Sequence, residues 1–292
     1  MNNILKKIRR YEIQIRKILN NQVQGDYRSI FRGSGLEYDD VRSYQYGDDI
    51  RTVNWRVSAK GHGTFVNTYK EEKEQTVFFM VDMSGSEEIG EHNLHKIDVQ
   101  KEIFGVLGLA AAKEGSRIGL LGFSDKKELY MRPSKGESYA YECISKLYKV
   151  QPRSKGTSLK KAILFTLKNI KRRSVIFIIS DFIDKDYQKN LKSMARKHDV
   201  VAIKVNDKRE TNLPKLGVIP VLNKESGKVT YVNTSGGTFQ KALHATYQKE
   251  NDDLKQLCHK HQINLLNLDT TTDYVPSLIK LFRIRNLSYK SV

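Results

Sequence analysis

The chain has 292 residues, 39% of them hydrophobic and 29% charged, which excludes a disordered or fibrous protein and allows one large α/β domain with a small appended unit. Lys and Arg number 51 against 33 Asp and Glu, and the net charge of +18 favours acidic partners, whether protein, anionic lipid or nucleic acid. Zinc-finger, RNP and KH patterns are missing, which argues against specific nucleic-acid recognition.

The start of the chain mixes Lys and Arg into its apolar residues, unlike a secretion signal. Its two cysteines, Cys143 and Cys258, lack CxxC spacing. No run approaches the roughly 20 apolar residues of a membrane span. A cytoplasmic protein is the expectation.

In chain order, Ile4, Ile8, Tyr11, Ile15 and Ile18 recur at steps of four and three and predict an amphipathic helix over Ile4–Leu19. Its stripe is expected to pack on the protein's own body, with a membrane surface or partner groove as the alternative. Residues 25–70 are punctuated by glycines and read as loops and short strands. From residue 73 onward, strand-like and helix-like segments alternate.

The predicted strands are Val77–Val81, Arg117–Phe123, an edge partner at Leu129–Met131, Val175–Ile179, Val200–Val205 and Ile263–Leu268. Predicted helices are one with an apolar middle Ile103–Ala112 that ends near Gly115, then Ser138–Val150, Ser158–Ile170, Tyr187–Arg196, Phe239–His261 and Tyr274–Arg285. A hairpin is expected from Val218–Leu222 and Lys228–Asn233. Such alternation implies a doubly wound, mostly parallel sheet with helices on both faces, and a ligand site beyond the carboxyl ends of the strands. The boundaries read are 1–72 for the N-terminal region and 73–292 for the α/β domain, with the hairpin inserted near 206–237.

Three features lie where that rule looks for chemistry: Asp82-Met83-Ser84-Gly85-Ser86 after one strand, Gly156-Thr157-Ser158 before a helix, and Ser180-Asp181 after another strand. All supply hard oxygen ligands, which suit a cation such as Mg²⁺ that takes about six oxygens. The structural alternative makes Asp82 and Asp181 turn residues and Thr157 a helix cap.

Asp82, Ser84, Ser86, Thr157 and Asp181 together resemble the metal-ion-dependent adhesion site of von Willebrand factor A domains. That resemblance implies a Rossmann-like α/β fold with Mg²⁺ held by the hydroxyls and, largely through water, by the aspartates. Mn²⁺ and Ca²⁺ are the alternatives. It further implies an open position that accepts an Asp or Glu carboxylate from a protein partner.

The run from Gly35 to Trp55, including Gly47-Asp48-Asp49-Ile50-Arg51, is similar to the signature of the bacterial family called domain of unknown function 58. So is Asp207-Lys208-Arg209-Glu210, although Lys208 replaces the usual proline and Asn54 the usual aspartate before Trp55. The likeness runs from about Gly25 to the last helix, and it implies a MoxR-type AAA+ ATPase as partner. Asp48, Asp49, Arg51 and Trp55 are read either as a partner-facing surface or as a charged turn with Trp55 as a packing anchor. The anchor is the expectation.

Competing chemistries fit less well. A phosphotransferase nucleophile at Asp82 would want a second carboxylate at position 84, where a serine stands. No Gly-x-Ser-x-Gly elbow, HExxH pair or phosphate-binding loop occurs, and Gly105 and Gly108 read as close helix packing. The expected function is a non-enzymatic, Mg²⁺-dependent protein-binding adaptor. The alternative is a basic scaffold for an anionic membrane surface or nucleic acid.

Overall fold

Side chains along a strand point alternately to the two faces of a sheet, and here that alternation divides the core in two. The computed structural model describes residues 4–13, 36–60, 63–71, 75–88, 90–91, 94–211, 216–222 and 229–290. Helix α1 covers residues 4–13, and β1 (Leu36–Ser43), α2 (Trp55–Ser58) and β2 (Phe65–Glu71) follow. Next come β3 (Thr76–Asp82), the two-residue strands β4 (Gly90–Glu91) and β5 (Leu94–His95), α3 (Lys96–Lys113), β6 (Arg117–Phe123) and β7 (Lys127–Ser134). Then follow α4 (Glu137–Lys149), α5 (Leu159–Asn169), β8 (Val175–Ser180), α6 (Gln188–Lys197), β9 (Asp199–Asn206) and α7 (Lys208–Thr211). The hairpin β10 (Val218–Leu222) and β11 (Val229–Asn233), α8 (Gly237–Lys260), β12 (Asn264–Asp269) and α9 (Val275–Lys290) complete the order.

Six strands form the central sheet in the order β12-β9-β8-β3-β6-β7. Every pair is parallel except β6 with β7, so the sheet is mostly parallel as expected. Val77, Phe79 and Val81 of β3 join Val175, Phe177 and Ile179 of β8 in one core beneath α1, α3, α4 and α9. Phe78 and Met80, with Ile176 and Ile178, face the other core beneath α5, α6 and α8. Cys143 belongs to the first core and Cys258 to the second, so the sheet separates the two thiols.

Strands β6 and β8 flank β3 on opposite sides. The chain therefore leaves β3 in one direction and later returns to its other edge. A crevice opens at such a reversal, outside the carboxyl ends of the strands.

Helix α1 packs on the protein's own body, as its stripe predicts; residues 14–19 of the expected helix lie outside the described residues. Ile8 is fully buried, and a Cβ added at Gly105 of α3 would come within 2.7 Å of Ile8 Cδ1. Glycine there lets the helices touch. Lys7 bonds to Glu102 at 2.8 Å and Lys113 to Glu12 at 2.7 Å across the same contact. Helix α3 runs from Lys96 to Lys113 around the expected apolar middle Ile103–Ala112, and its first two turns carry buried Lys96, Gln100 and Lys101.

Around residues 36–71 the expected short strands pair as an antiparallel ladder. Gly47 turns the chain at φ +104°, a conformation that suits glycine. Asp48 accepts two hydrogen bonds from Arg42, at 2.7 and 2.8 Å, and Asp49 closes on Arg51 at 2.8 Å.

The expectation that Trp55 anchors this region is corrected: its side chain is 70% exposed. Asn54 accepts from the Val57 amide at 3.1 Å and donates to Asn67 at 2.8 Å, which pins the one-turn helix α2. The buried contact is instead between bridged Val53 and Val66, and Trp55 turns outward.

Two measurements check this description. Truncating Ile8→Ala should cost about 2–5 kcal/mol in urea unfolding, the range for a buried isoleucine; a loss within about 0.5 kcal/mol would mean that α1 does not dock. Trp55 is the single tryptophan, so fluorescence reports on it alone. Its emission should be that of a water-exposed indole and be readily quenched by iodide, whereas a shielded, blue-shifted spectrum would restore the anchor.

Candidate metal centre

Parallel pairing sets Val81 beside Ile179, so the next residues, Asp82 and Ser180, leave the sheet side by side. Ser180 Oγ donates to Asp82 Oδ2 at 2.7 Å. After Asp82 the chain tightens: the Ser84 amide donates to Asp82 Oδ1 at 3.0 Å, and Gly85–Glu88 forms one 3-10 turn. Ser84 Oγ and Ser86 Oγ lie 3.0 Å apart. At the end of β8, Asp181 folds its carboxylate back onto the Ile183 amide at 3.0 Å, and Phe182 takes φ +59°.

The loop carrying Thr157 runs beside this turn, since the Lys155 carbonyl accepts from the Gly85 amide at 2.8 Å. Ser158 rather than Thr157 caps α5, accepting from the Lys161 amide at 3.4 Å. The turn roles of Asp82 and Asp181 are thus both present. Asp48, Asp49, Arg51 and Trp55 belong to the separate β1–β2 turn described above, and the centre is built without them.

Four further residues that the motif reading missed lie at the centre. Glu87 is fully buried and accepts from the Asp181 amide at 3.1 Å. Lys96, the first residue of α3, donates to Asp181 Oδ2 at 2.8 Å and to Glu210 Oε1 at 2.6 Å. Glu210 is itself held by the Asp207 amide at 3.2 Å, so the Asp-Lys-Arg-Glu segment closes on the centre. Lys204 pairs with Ser180 across β8 and β9 and is 2% exposed.

The electrostatics follow from burial. Desolvation, then the charge of Asp181, pushes Asp82 up to about 7. The same two causes, in the same order, raise Glu87 well above the ordinary carboxylate range. Burial also works against the charge of Lys96, but Glu87, Asp181 and Glu210 outweigh it and hold the ammonium above the usual lysine range. Burial raises Glu210 even though Lys96 pairs with it, and lowers Lys204.

Lys96 is the ammonium shared by Glu87, Asp181 and Glu210, at 3.9, 2.8 and 2.6 Å, and burial disfavours the charged forms of Asp82 and Glu87 beside it. A divalent cation would favour the ionised forms of both carboxylates. Asp82, Glu87 and Asp181 each offer an oxygen within 4.8 Å of the others. The Ser84–Ser86 separation of 3.0 Å also equals the edge of an octahedron of oxygens about 2.1 Å from Mg²⁺, roughly 3.0 Å. The residues present fit the ion.

The chain is similar to several known proteins. An uncharacterised protein of Mycobacterium tuberculosis is 27% identical over 225 residues, covering 76% of this chain and 71% of its own length. The crystal structure of the conserved hypothetical protein BatB from Bacteroides thetaiotaomicron matches with a TM-score of 0.48 and 13% identity, over 73% of this chain and 98% of its own. An aerotolerance-related membrane protein from Bacteroides fragilis matches with a TM-score of 0.47 and 15% identity, over 72% and 98%.

The cytoplasmic placement expected from the sequence is therefore corrected and set aside: proteins to which this chain is similar are described as membrane proteins, although no described helix is long and apolar enough to cross a membrane. The model of the family described as "protein of unknown function DUF58" matches residues 40–253, well over half of the chain, and the chain belongs to that family.

Proposed function

We propose that this chain is a divalent-cation-dependent protein-binding module of the von Willebrand factor A type. Asp82, Ser84, Ser86, Thr157 and Asp181 would hold Mg²⁺, with Mn²⁺ or Ca²⁺ as substitutes. The observation that carries the reading is the convergence of Asp82, Ser84, Ser86 and Asp181 at the reversal point of the sheet, where the carboxylates of Asp82, Glu87 and Asp181 are buried within reach of one another. When bound, the ion supplies a Lewis-acidic position for a carboxylate oxygen.

The chain's own residues do the rest. Ser180 and the Ser84 amide fix the two oxygens of Asp82, and Lys96 and the Ile183 amide fix those of Asp181. Ser84 and Ser86 hydrogen-bond to one another rather than to a histidine base, which supports binding over nucleophilic catalysis. An Asp or Glu side chain of a protein partner is the ligand, and a MoxR-type AAA+ ATPase or the client it remodels is the partner that the family resemblance favours. The competing basic scaffold would need the apolar stripe of α1 on the surface, and burial of Ile8 speaks against that use.

Titration calorimetry on the metal-stripped protein should show one Mg²⁺ site that weakens at least about ten-fold in Asp82→Ala and in Ser84→Ala. Mg²⁺ at 100 times its Kd should also raise wild-type stability by about 2.7 kcal/mol. Both variants should lose a MoxR-type ATPase from immobilised protein, as the wild type should in EDTA. Retention that ignores both EDTA and the Asp82→Ala change would overturn the metal-bridged mechanism.

A further inference from the structure

The carboxylates of Asp82, Glu87 and Asp181 together present six oxygens. Five of them already accept a hydrogen bond: Asp82 Oδ1 from the Ser84 amide, Asp82 Oδ2 from Ser180 Oγ, Asp181 Oδ1 from the Ile183 amide, Asp181 Oδ2 from Lys96 Nζ, and Glu87 Oε1 from the Asp181 amide. The sixth, Glu87 Oε2, is buried without a hydrogen-bond donor among the described residues. Lys96 Nζ stands 3.9 Å from it, beyond hydrogen-bonding distance. In its charged form, a carboxylate oxygen shut away from water with nothing donating to it is disfavoured unless a cation meets it.

We infer that Glu87 is a direct carboxylate ligand of the divalent ion, a role outside the Ser/Thr/Asp set that the motif supplies; the inference rests on the metal reading above. Its neighbour Glu88 is exposed, so the 3-10 turn Gly85–Glu88 sends one of two adjacent glutamates inward and the other to solvent. Lys96 bonds one oxygen of Asp181 and bridges it to Glu210, which leaves Glu87 as the carboxylate with an uncommitted oxygen. Glu87 is thereby a ligand and Lys96 the residue that positions Asp181 beside it.

The test compares wild type, Glu87→Gln and Glu88→Gln, each stripped of metal and titrated with Mn²⁺ by calorimetry and by thermal melting. Glutamine keeps the shape of Glu87 and the acceptor for the Asp181 amide while removing the charge. Glu87→Gln should melt at or above the metal-free wild type, bind Mn²⁺ about ten- to hundred-fold more weakly, and gain correspondingly less thermal stability from it. Glu88→Gln should match wild type in every respect.

A glutamate of purely structural importance would give the opposite pattern, a lower metal-free melting temperature with unchanged Mn²⁺ affinity, and that result overturns the inference while leaving the metal site standing. Failure of the wild type itself to bind Mn²⁺ or Mg²⁺ overturns both. Should Glu87→Gln not fold, Glu87→Asp, which keeps the charge and withdraws it by one methylene, is read by the same weakening of Mn²⁺ binding.

Discussion

Lys96 is wholly buried, and its ammonium is the contact on which the centre is organised. It ties the start of α3 to the end of β8 through Asp181 and to α7 through Glu210. Charges are removed from water at great cost unless they are paired and hydrogen-bonded. Three segments remote in sequence must therefore arrive together or not at all. The start of α3 is where a helix presents its unpaired amides and the positive end of its dipole, so the acidic cluster gathers where the backbone also favours negative charge.

The sheet supplies the platform. Buried residues fill both faces of β3, β8 and β9, so side chains along their lengths are committed to packing and only the strand ends are available for chemistry. Gly119 and Gly122 of β6 leave room at this packing: a Cβ at Gly119 would come within 2.5 Å of Phe78, and one at Gly122 within 2.7 Å of Met83 Sδ. Met83 follows Asp82, and its amide donates to the Phe123 carbonyl at 2.7 Å. Tight packing of β6 against β3 thus sets the level at which the Asp82 turn begins, and the register with β8 brings Ser180 to the same level.

Much of this was legible in the sequence, because buried parallel strands are near-continuous apolar runs and hydroxyl or carboxylate residues directly after them stand out. Asp82, Ser84, Ser86 and Asp181 were readable for that reason, Thr157 from its place just before a predicted helix, and the hairpin β10–β11 from its two short β-branched runs. Lys96, Glu87 and Glu210 were not. A charged residue in a helix or turn reads as solvated surface until a distant segment is known to meet it, and nothing local separates Glu87 from Glu88. The single signal available was the Asp207–Glu210 resemblance, whose purpose emerges only when Glu210 reaches Lys96. Trp55 failed in the reverse direction: an apolar side chain suggested an anchor, but the one-turn helix capped by Asn54 directs Val53 inward instead.

The account stands on a cation seated where the carboxylates of Asp82, Glu87 and Asp181 are buried together beyond the ends of β3 and β8. Anomalous diffraction from crystals grown with Mn²⁺ tests that most directly. The account predicts one strong peak bounded by the hydroxyls of Ser84 and Ser86 and the carboxylates of Asp82, Glu87 and Asp181, with Lys96 still bonded to Asp181. Fully occupied Mn²⁺ elsewhere in the crystal with no peak among these residues would contradict it.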